Sequence, residues 1–228
     1  MEPATPLETV YNLILLDESG SMEIVRDTTI RGFNELVQTV QGLSEEFPQK
    51  KQLMSLTTFN GLAVKERLFL QEAHSLRPLA LADYRPNAST PLHDAIGQSV
   101  SKLRQVLAAT GAASYQVLVT VLTDGQENAS KEFSRPMIRQ LIEQLKDEGW
   151  TFTYIGANHD VDQAADGLAI DNKLSFNQNA AEMDAMFLKE RHARRRYNLK
   201  PKEDQTQARP KADYFDDDEP ADLNTPKQ

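Results

Sequence analysis

Asn12-Leu13-Ile14-Leu15-Leu16-Asp17-Glu18-Ser19-Gly20-Ser21-Met22 is an apolar run that stops abruptly at a carboxylate, followed by two hydroxyls on either side of a glycine. Residues 13–16 show no alternation of apolar and polar side chains, so both faces of the segment require burial. That pattern belongs to a central strand of a sheet covered by helices on each side. Asp17 then stands at the carboxyl end of the strand, the edge where open α/β sheets bind ligands because the strand-to-helix loops diverge there. Ser19, Gly20 and Ser21 form the loop, with Gly20 allowing a tight turn between the hydroxyls.

Carboxylate and hydroxyl oxygens suit a hard divalent cation, and magnesium favours near-octahedral oxygen at about 2.0–2.1 Å. One loop cannot complete an octahedron, so further oxygens are expected at the ends of other strands. Thr90 lies in Ser89-Thr90-Pro91-Leu92-His93-Asp94-Ala95, a loop opening a helix, and Asp124 ends the apolar run 117–123. Together DESGS, STPLHDA and VLTDGQEN resemble the metal-ion-dependent adhesion site of the von Willebrand factor type A domain family, over about residues 11–187. On that resemblance Asp17, Ser19 and Ser21 match the DxSxS motif, Thr90 the family's threonine and Asp124 its distal aspartate. The resemblance implies a bound Mg2+, with Mn2+ or Ca2+ as substitutes, and a partner protein whose Asp or Glu coordinates it. The charge count points the same way. Two carboxylates and three neutral hydroxyls under-fill a magnesium ion and leave it electrophilic toward an anionic oxygen.

The chain has 228 residues, 39% hydrophobic and 26% charged, which suits one sizeable domain with an appendage. No run of about 18 apolar residues exists, and the first residues lack a basic start followed by an apolar segment, so the expectation is a cytoplasmic protein without a membrane span. Cysteine is absent, which excludes disulfides and thiolate metal sites. A net charge of -9 disfavours nucleic acid as a partner.

In chain order, residues 1–10 read as a leader, 11–198 as the domain and 199–228 as a disordered acidic tail. The first strand is expected over 11–17. A helix follows with Ile30, Phe33, Val37 and Val40 on its buried face, ended by Gly42 and Pro48. The β-rich run 53–59 and the run 64–70 flank Asn60-Gly61, a hairpin signal that places an antiparallel edge strand on a mostly parallel, doubly wound sheet. Pro91 starts a helix whose stripe is Leu92, Ile96, Val100, Leu103 and Leu107. The strand 116–123 ends at Asp124. Ser134 then caps a helix with the stripe Met137, Leu141, Ile142 and Leu145, closed by Gly149. Strands at 151–155 and 174–176, a short helix at 161–168 and a final helix from Asn179 carrying Met183, Met186 and Phe187 complete the domain.

Lys189, Arg191, Arg194, Arg195 and Arg196 read as a solvated basic helix end, favourable to the macrodipole, with a contact to an acidic partner as the alternative. Tyr214-Phe215-Asp216-Asp217-Asp218-Glu219 has too little apolar content to fold alone and reads as a solubilising tail, with a short recognition motif as the alternative. Its carboxylates also offer a route to self-association, by reaching the metal of a neighbouring copy.

Enzyme readings fit less well, and no catalysis is expected. A magnesium phosphatase with Asp17 as nucleophile needs a second aspartate where Ser19 stands, and Ser21 is not in a G-x-S-x-G elbow. His93 follows the Thr90 loop, on a helix surface or behind the site rather than as a base. The expected function is a magnesium-dependent protein-interaction module. Stand-alone prokaryotic members of the family are similar in length and in Tyr154-Ile155-Gly156-Ala157-Asn158, which implies as an alternative an accessory subunit of an ATPase or stress-response system.

Overall fold

The computed structural model describes residues 8–111, 114–157, 160–177, 179–200 and 214–216. Among these residues six strands form one sheet: β1 (Glu8–Asp17), β2 (Lys50–Asn60), β3 (Ala63–Glu72), β4 (Tyr115–Thr123), β5 (Trp150–Ala157) and β6 (Asn172–Phe176). Their order is β3-β2-β1-β4-β5-β6, parallel throughout except that β3 runs antiparallel to β2. Among the described residues five α-helices cover it, α1 (Arg26–Glu46), α2 (Leu92–Thr110), α3 (Arg135–Asp147), α4 (Val161–Gly167) and α5 (Ala180–Leu199).

Alternate side chains of β1 explain why its sequence is apolar throughout. Val10, Ile14 and Leu16 pack with residues of α1 and α5, among them Ile30, Phe33, Val37, Met183 and Phe187. Tyr11, Leu13 and Leu15 pack on the other side, with Leu92, Ile96, Val100 and Leu103 of α2 and with Ile138, Ile142 and Leu145 of α3. Strand order reverses at β1, whose neighbours are β2 on one side and β4 on the other. The crevice of a doubly wound sheet therefore opens between the carboxyl ends of β1 and β4. Those are the ends that carry Asp17 and Asp124.

Several elements differ from the sequence expectation. β1 starts at Glu8, so residues 8–10 belong to the sheet and not to a leader; 1–7 lie outside the described residues. α1 runs past Gly42 to Glu46, because Leu43 and Phe47 still bury against the core and outweigh the cost of about 1 kcal/mol for a helical glycine. A 3-10 turn, Gly20–Val25, precedes α1, so the helix proper begins four residues after Met22. On α3 the inward stripe is Ile138, Ile142 and Leu145, whereas Met137 is 50% exposed. Ser134 occupies the position before α3 without a side-chain capping bond.

The basic helix end is the largest correction. Arg194 is 0% exposed, because α5 lays it across the sheet where Glu190, one turn earlier, and the strand residues Asn12 and Thr120 receive its guanidinium. Arg195 pairs with Glu46 on the surface. The tail differs as well. Tyr214 and Phe215 are buried in the core cluster that includes Tyr197 and Ala193 of α5, so this part of the tail is held on the domain. Residues 201–213 and 217–228, with Asp217, Asp218 and Glu219, lie outside the described residues.

Candidate metal centre

Asp17 is fully buried at the end of β1. Its Oδ1 accepts from the Ser19 N–H at 2.7 Å, which curls the chain so that the Ser19 and Ser21 side chains follow on one side of the loop. Its Oδ2 accepts from the Thr123 hydroxyl at 2.6 Å, tying the ends of β1 and β4 together. Next along β4, Asp124 Oδ1 accepts from the Ser21 hydroxyl at 2.6 Å, and the Ser19 and Ser21 oxygens are 3.3 Å apart. Burial raises the Asp17 carboxyl to about 6, opposed by the Thr123 and Ser19 bonds and reinforced by the charge of Asp124. No lysine or arginine ion pair reaches Asp17 among the described residues.

Thr90 comes from the loop before α2. A methyl group built at Gly125 would lie 3.1 Å from Thr90 Oγ1, 3.8 Å from Ser21 Oγ and 3.9 Å from Asp17 Oδ2. Oxygens from two separate loops, Thr90 on one and Asp17 and Ser21 on the other, therefore face one point beside the loop after β4, and a side chain at position 125 would stand in it.

Neighbouring groups hold these loops. The Tyr84 hydroxyl donates to the Asp17 carbonyl at 2.5 Å. Glu18 is 2% exposed, accepts from the Arg85 N–H at 2.7 Å and pairs with Arg67 of β3 at 3.1 Å. Gly20 N–H donates to the Ala88 carbonyl and Asn87 N–H to the Glu18 carbonyl, which ties the 17–21 and 84–90 loops together. The hairpin between β2 and β3 leans on the second loop, with Gly61 so close that a Cβ would meet Ser89 Oγ at 2.2 Å. Ala88 takes φ 61, a left-handed conformation costly for a residue other than glycine, two positions before Thr90.

The family model of the von Willebrand factor type A domain matches residues 13–190. The chain belongs to that family. Solved structures share the fold at low identity. The A domain superposes on proximal thread matrix protein 1 of the mussel byssus with a TM-score of 0.55 and 18% identity, over 79% of this chain and 46% of that one. For the pilus adhesin SpaC of Lactobacillus rhamnosus GG the TM-score is 0.62 at 13% identity, over 85% and 31% of the two chains. For the manganese-loaded TRAP protein of Plasmodium vivax it is 0.52 at 17% identity, over 81% and 75%. At these identities the likeness is one of fold, and the chain spans less than half the length of the byssus protein. No curated protein matches the sequence significantly.

In this A domain all five residues singled out in the sequence, Asp17, Ser19, Ser21, Thr90 and Asp124, sit at the carboxyl edge of the sheet around the β1/β4 crevice. Among the described residues no group of three or more His, Asp or Glu side chains is gathered for a metal. The donor set at the crevice is of a different kind, two carboxylates with three hydroxyls. Sequence reading missed the supports. Asp94 accepts the backbone N–H groups of Lys131, Glu132 and Phe133 at 2.8–2.9 Å, which fastens the loop after Asp124 to α2. Glu127 accepts from His93 N–H and from the N–H and hydroxyl of Ser130. Burial alone would raise its carboxyl, but those bonds outweigh burial and hold it below the usual range. Burial holds the His93 imidazole low despite Glu127, whose Oε2 lies 3.6 Å from Nδ1. Both Asp94 and Glu127 lie within the quoted motifs, three to four residues beyond Thr90 and Asp124, but nothing in their spacing marks them as supports. Beside the crevice, His93, Glu127, Arg135, Tyr154 and Gln163 line a shallow polar cleft.

Proposed function

We propose that this A domain is a protein-interaction module in which Asp17, Ser19, Ser21, Thr90 and Asp124 hold a divalent cation, magnesium in the resting protein, to which a partner presents an Asp or Glu. The observation that carries the reading is the convergence of Thr90, Ser21 and Asp17 oxygens on the space beside Gly125, with Asp124 and Ser19 in reach of Ser21. A bound cation supplies an electrophilic position for an anionic oxygen. The protein's part is to fix the donors. Asp17 and Asp124 match the charge of a divalent ion, and the three hydroxyls add oxygens without further negative charge, so a carboxylate from outside is not repelled. The Asp17 carboxylate is deeply desolvated and has no basic partner among the described residues, a cost that a cation between the loops would offset. That a protein of similar fold, TRAP, is manganese-loaded supports a divalent ion here.

The cleft with His93, Arg135 and Gln163 gives the partner a second, polar surface next to the ion. The module works by binding and not by chemistry. His93 Nδ1 faces Glu127 and not the Ser21 hydroxyl, which donates to Asp124 and keeps its lone pairs for the cation. We place it in the cytoplasm; no helix among the described residues is long and apolar enough to cross a membrane.

The test is affinity capture from a cell lysate on immobilised protein, with magnesium or with a chelator, beside Asp17→Ala whose folding is checked by circular dichroism. The expected result is a protein retained with magnesium, released by the chelator and absent from the variant. Retention that ignores both chelator and variant would contradict the reading.

A further inference from the structure

We propose that the surface formed by Glu190, Arg196 and Tyr197 of α5 with Asn172 of β6 is a second binding site, for a peptide of Tyr-Phe-Asp type, and that residues 214–216 fill it as a dissociable self-ligand. The site is remote from the crevice. Asn172 opens β6 and the Tyr197 hydroxyl donates to the carbonyl of Val117 near the start of β4, so the socket lies at the amino edge of the sheet and the acidic crevice at the carboxyl edge.

The contact has the make-up of short-motif recognition. Two consecutive aromatic residues, Tyr214 and Phe215, are each 6% exposed, while the sequence around them is Lys211, Ala212, Asp213 and then four acidic residues from 216 to 219. Fourteen residues, 200–213, separate them from the end of the helix they dock on. The rings pack edge-on: Tyr214 against Tyr197 with centroids 6.1 Å apart, and Phe215 against Tyr214 at 4.9 Å. Polar contacts then fix a single residue from three directions. The Tyr214 N–H donates to Asn172 Oδ1 at 3.1 Å, its carbonyl accepts from Arg196 at 3.4 Å, and its hydroxyl donates to Glu190 Oε1 at 3.2 Å. The last of these separates tyrosine from phenylalanine.

The receiving groups are held by the domain itself. Arg194 grips Glu190 and is in turn anchored on Asn12 and Thr120, while the Asn172 amide donates to the Phe152 carbonyl. Such a socket keeps its shape when the segment leaves, which lowers the cost of rebinding. Glu190 also keeps one buried oxygen, Oε2, without a hydrogen-bond partner among the described residues, so the carboxylate's acceptor capacity is not exhausted.

The experiment uses the full chain carrying Tyr214→Ala with Phe215→Ala and a fluorescein-labelled peptide of residues 210–219, read by anisotropy. The variant binds the peptide saturably at one site, and a peptide with Tyr214→Phe binds several-fold more weakly. The parent binds the same peptide roughly tenfold more weakly than the variant, because its own segment competes at a tethered concentration of the order of millimolar. A full chain with Tyr214→Phe alone, which loses only one hydroxyl, takes up the peptide better than the parent, and this arm stands even where the double variant does not fold. A folded variant that ignores the peptide, or equal binding of the native and Tyr214→Ala peptides, overturns the proposal. So does equal uptake by the parent and the Tyr214→Phe chain.

Discussion

Arg194→Met removes a guanidinium from the centre of the domain while keeping a side chain of similar reach. Four hydrogen bonds go with it: two to Glu190 Oε1, one to Asn12 Oδ1 at 2.6 Å and one to Thr120 Oγ1 at 2.8 Å. The Thr120 hydroxyl still receives the Thr153 hydroxyl at 3.1 Å, so the main loss is a carboxylate left 1% exposed with no counter-charge. Removing one partner of a buried pair costs about 3–5 kcal/mol. Burial already raises the Glu190 carboxyl against the opposing pull of Arg194, and the variant raises it further. A carboxyl whose folded value exceeds its unfolded value of about 4.3 weighs against folding at high pH, so the gap between variant and parent narrows as pH falls. The gap therefore narrows between pH 7.5 and 5.5. Adding Glu190→Leu to Arg194→Met returns stability to within about 2 kcal/mol of the parent, because the orphaned charge is gone. Urea unfolding followed by the fluorescence of Trp150, a single tryptophan 1% exposed, reads all of these. The reasoning is refuted by a variant within about 1 kcal/mol of the parent, or by a gap that does not change with pH.

Gly125→Ala places a methyl 3.1 Å from Thr90 Oγ1; it should weaken magnesium binding about tenfold in calorimetric titration while changing stability by less than about 1 kcal/mol. At Gly32, where a Cβ would sit 1.9 Å from the Phe187 ring, alanine gains about 1 kcal/mol of helix propensity but overpacks α1 against α5 at about 1–3 kcal/mol, and thermal unfolding should show a net loss. Ile138→Ala, at a fully buried position, should cost about 2–5 kcal/mol, whereas Met137→Ala next to it should stay within about 0.5 kcal/mol in the same urea assay.

How legible these features were in the sequence follows from how local their causes are. β1 and β4 could be read because burial on two faces leaves an uninterrupted apolar run, and the clustering of Asp17, Ser19, Ser21, Thr90 and Asp124 at one sheet edge because each follows the end of such a run or opens a helix. β3 could be read because Asn60-Gly61 specifies a tight turn, and its partly exposed residues fit an edge strand. The stripe of α3 was misassigned because Met137 and Ile138 are adjacent and equally apolar; only the roll of the helix against the sheet separates them. Arg194 was hidden for a different reason. A basic run at a helix end has a sufficient local explanation, and the cue against it lay elsewhere, in Asn12 and Thr120 interrupting otherwise apolar strands and in Glu190 four residues ahead. Likewise nothing near Tyr214 indicates what its ring packs on, since Tyr197 and Asn172 are distant in the chain.

The central claim is that oxygens from Asp17, Ser19, Ser21, Thr90 and Asp124 form a working cation site. Its most direct test is calorimetric titration of chelator-treated protein with magnesium and with manganese, beside Asp17→Ala and Ser21→Ala, each confirmed as folded by its Trp150 fluorescence. The account predicts one divalent ion bound by the parent and binding at least about tenfold weaker in both variants. A parent that binds neither ion, or folded variants that bind as tightly as the parent, would contradict it.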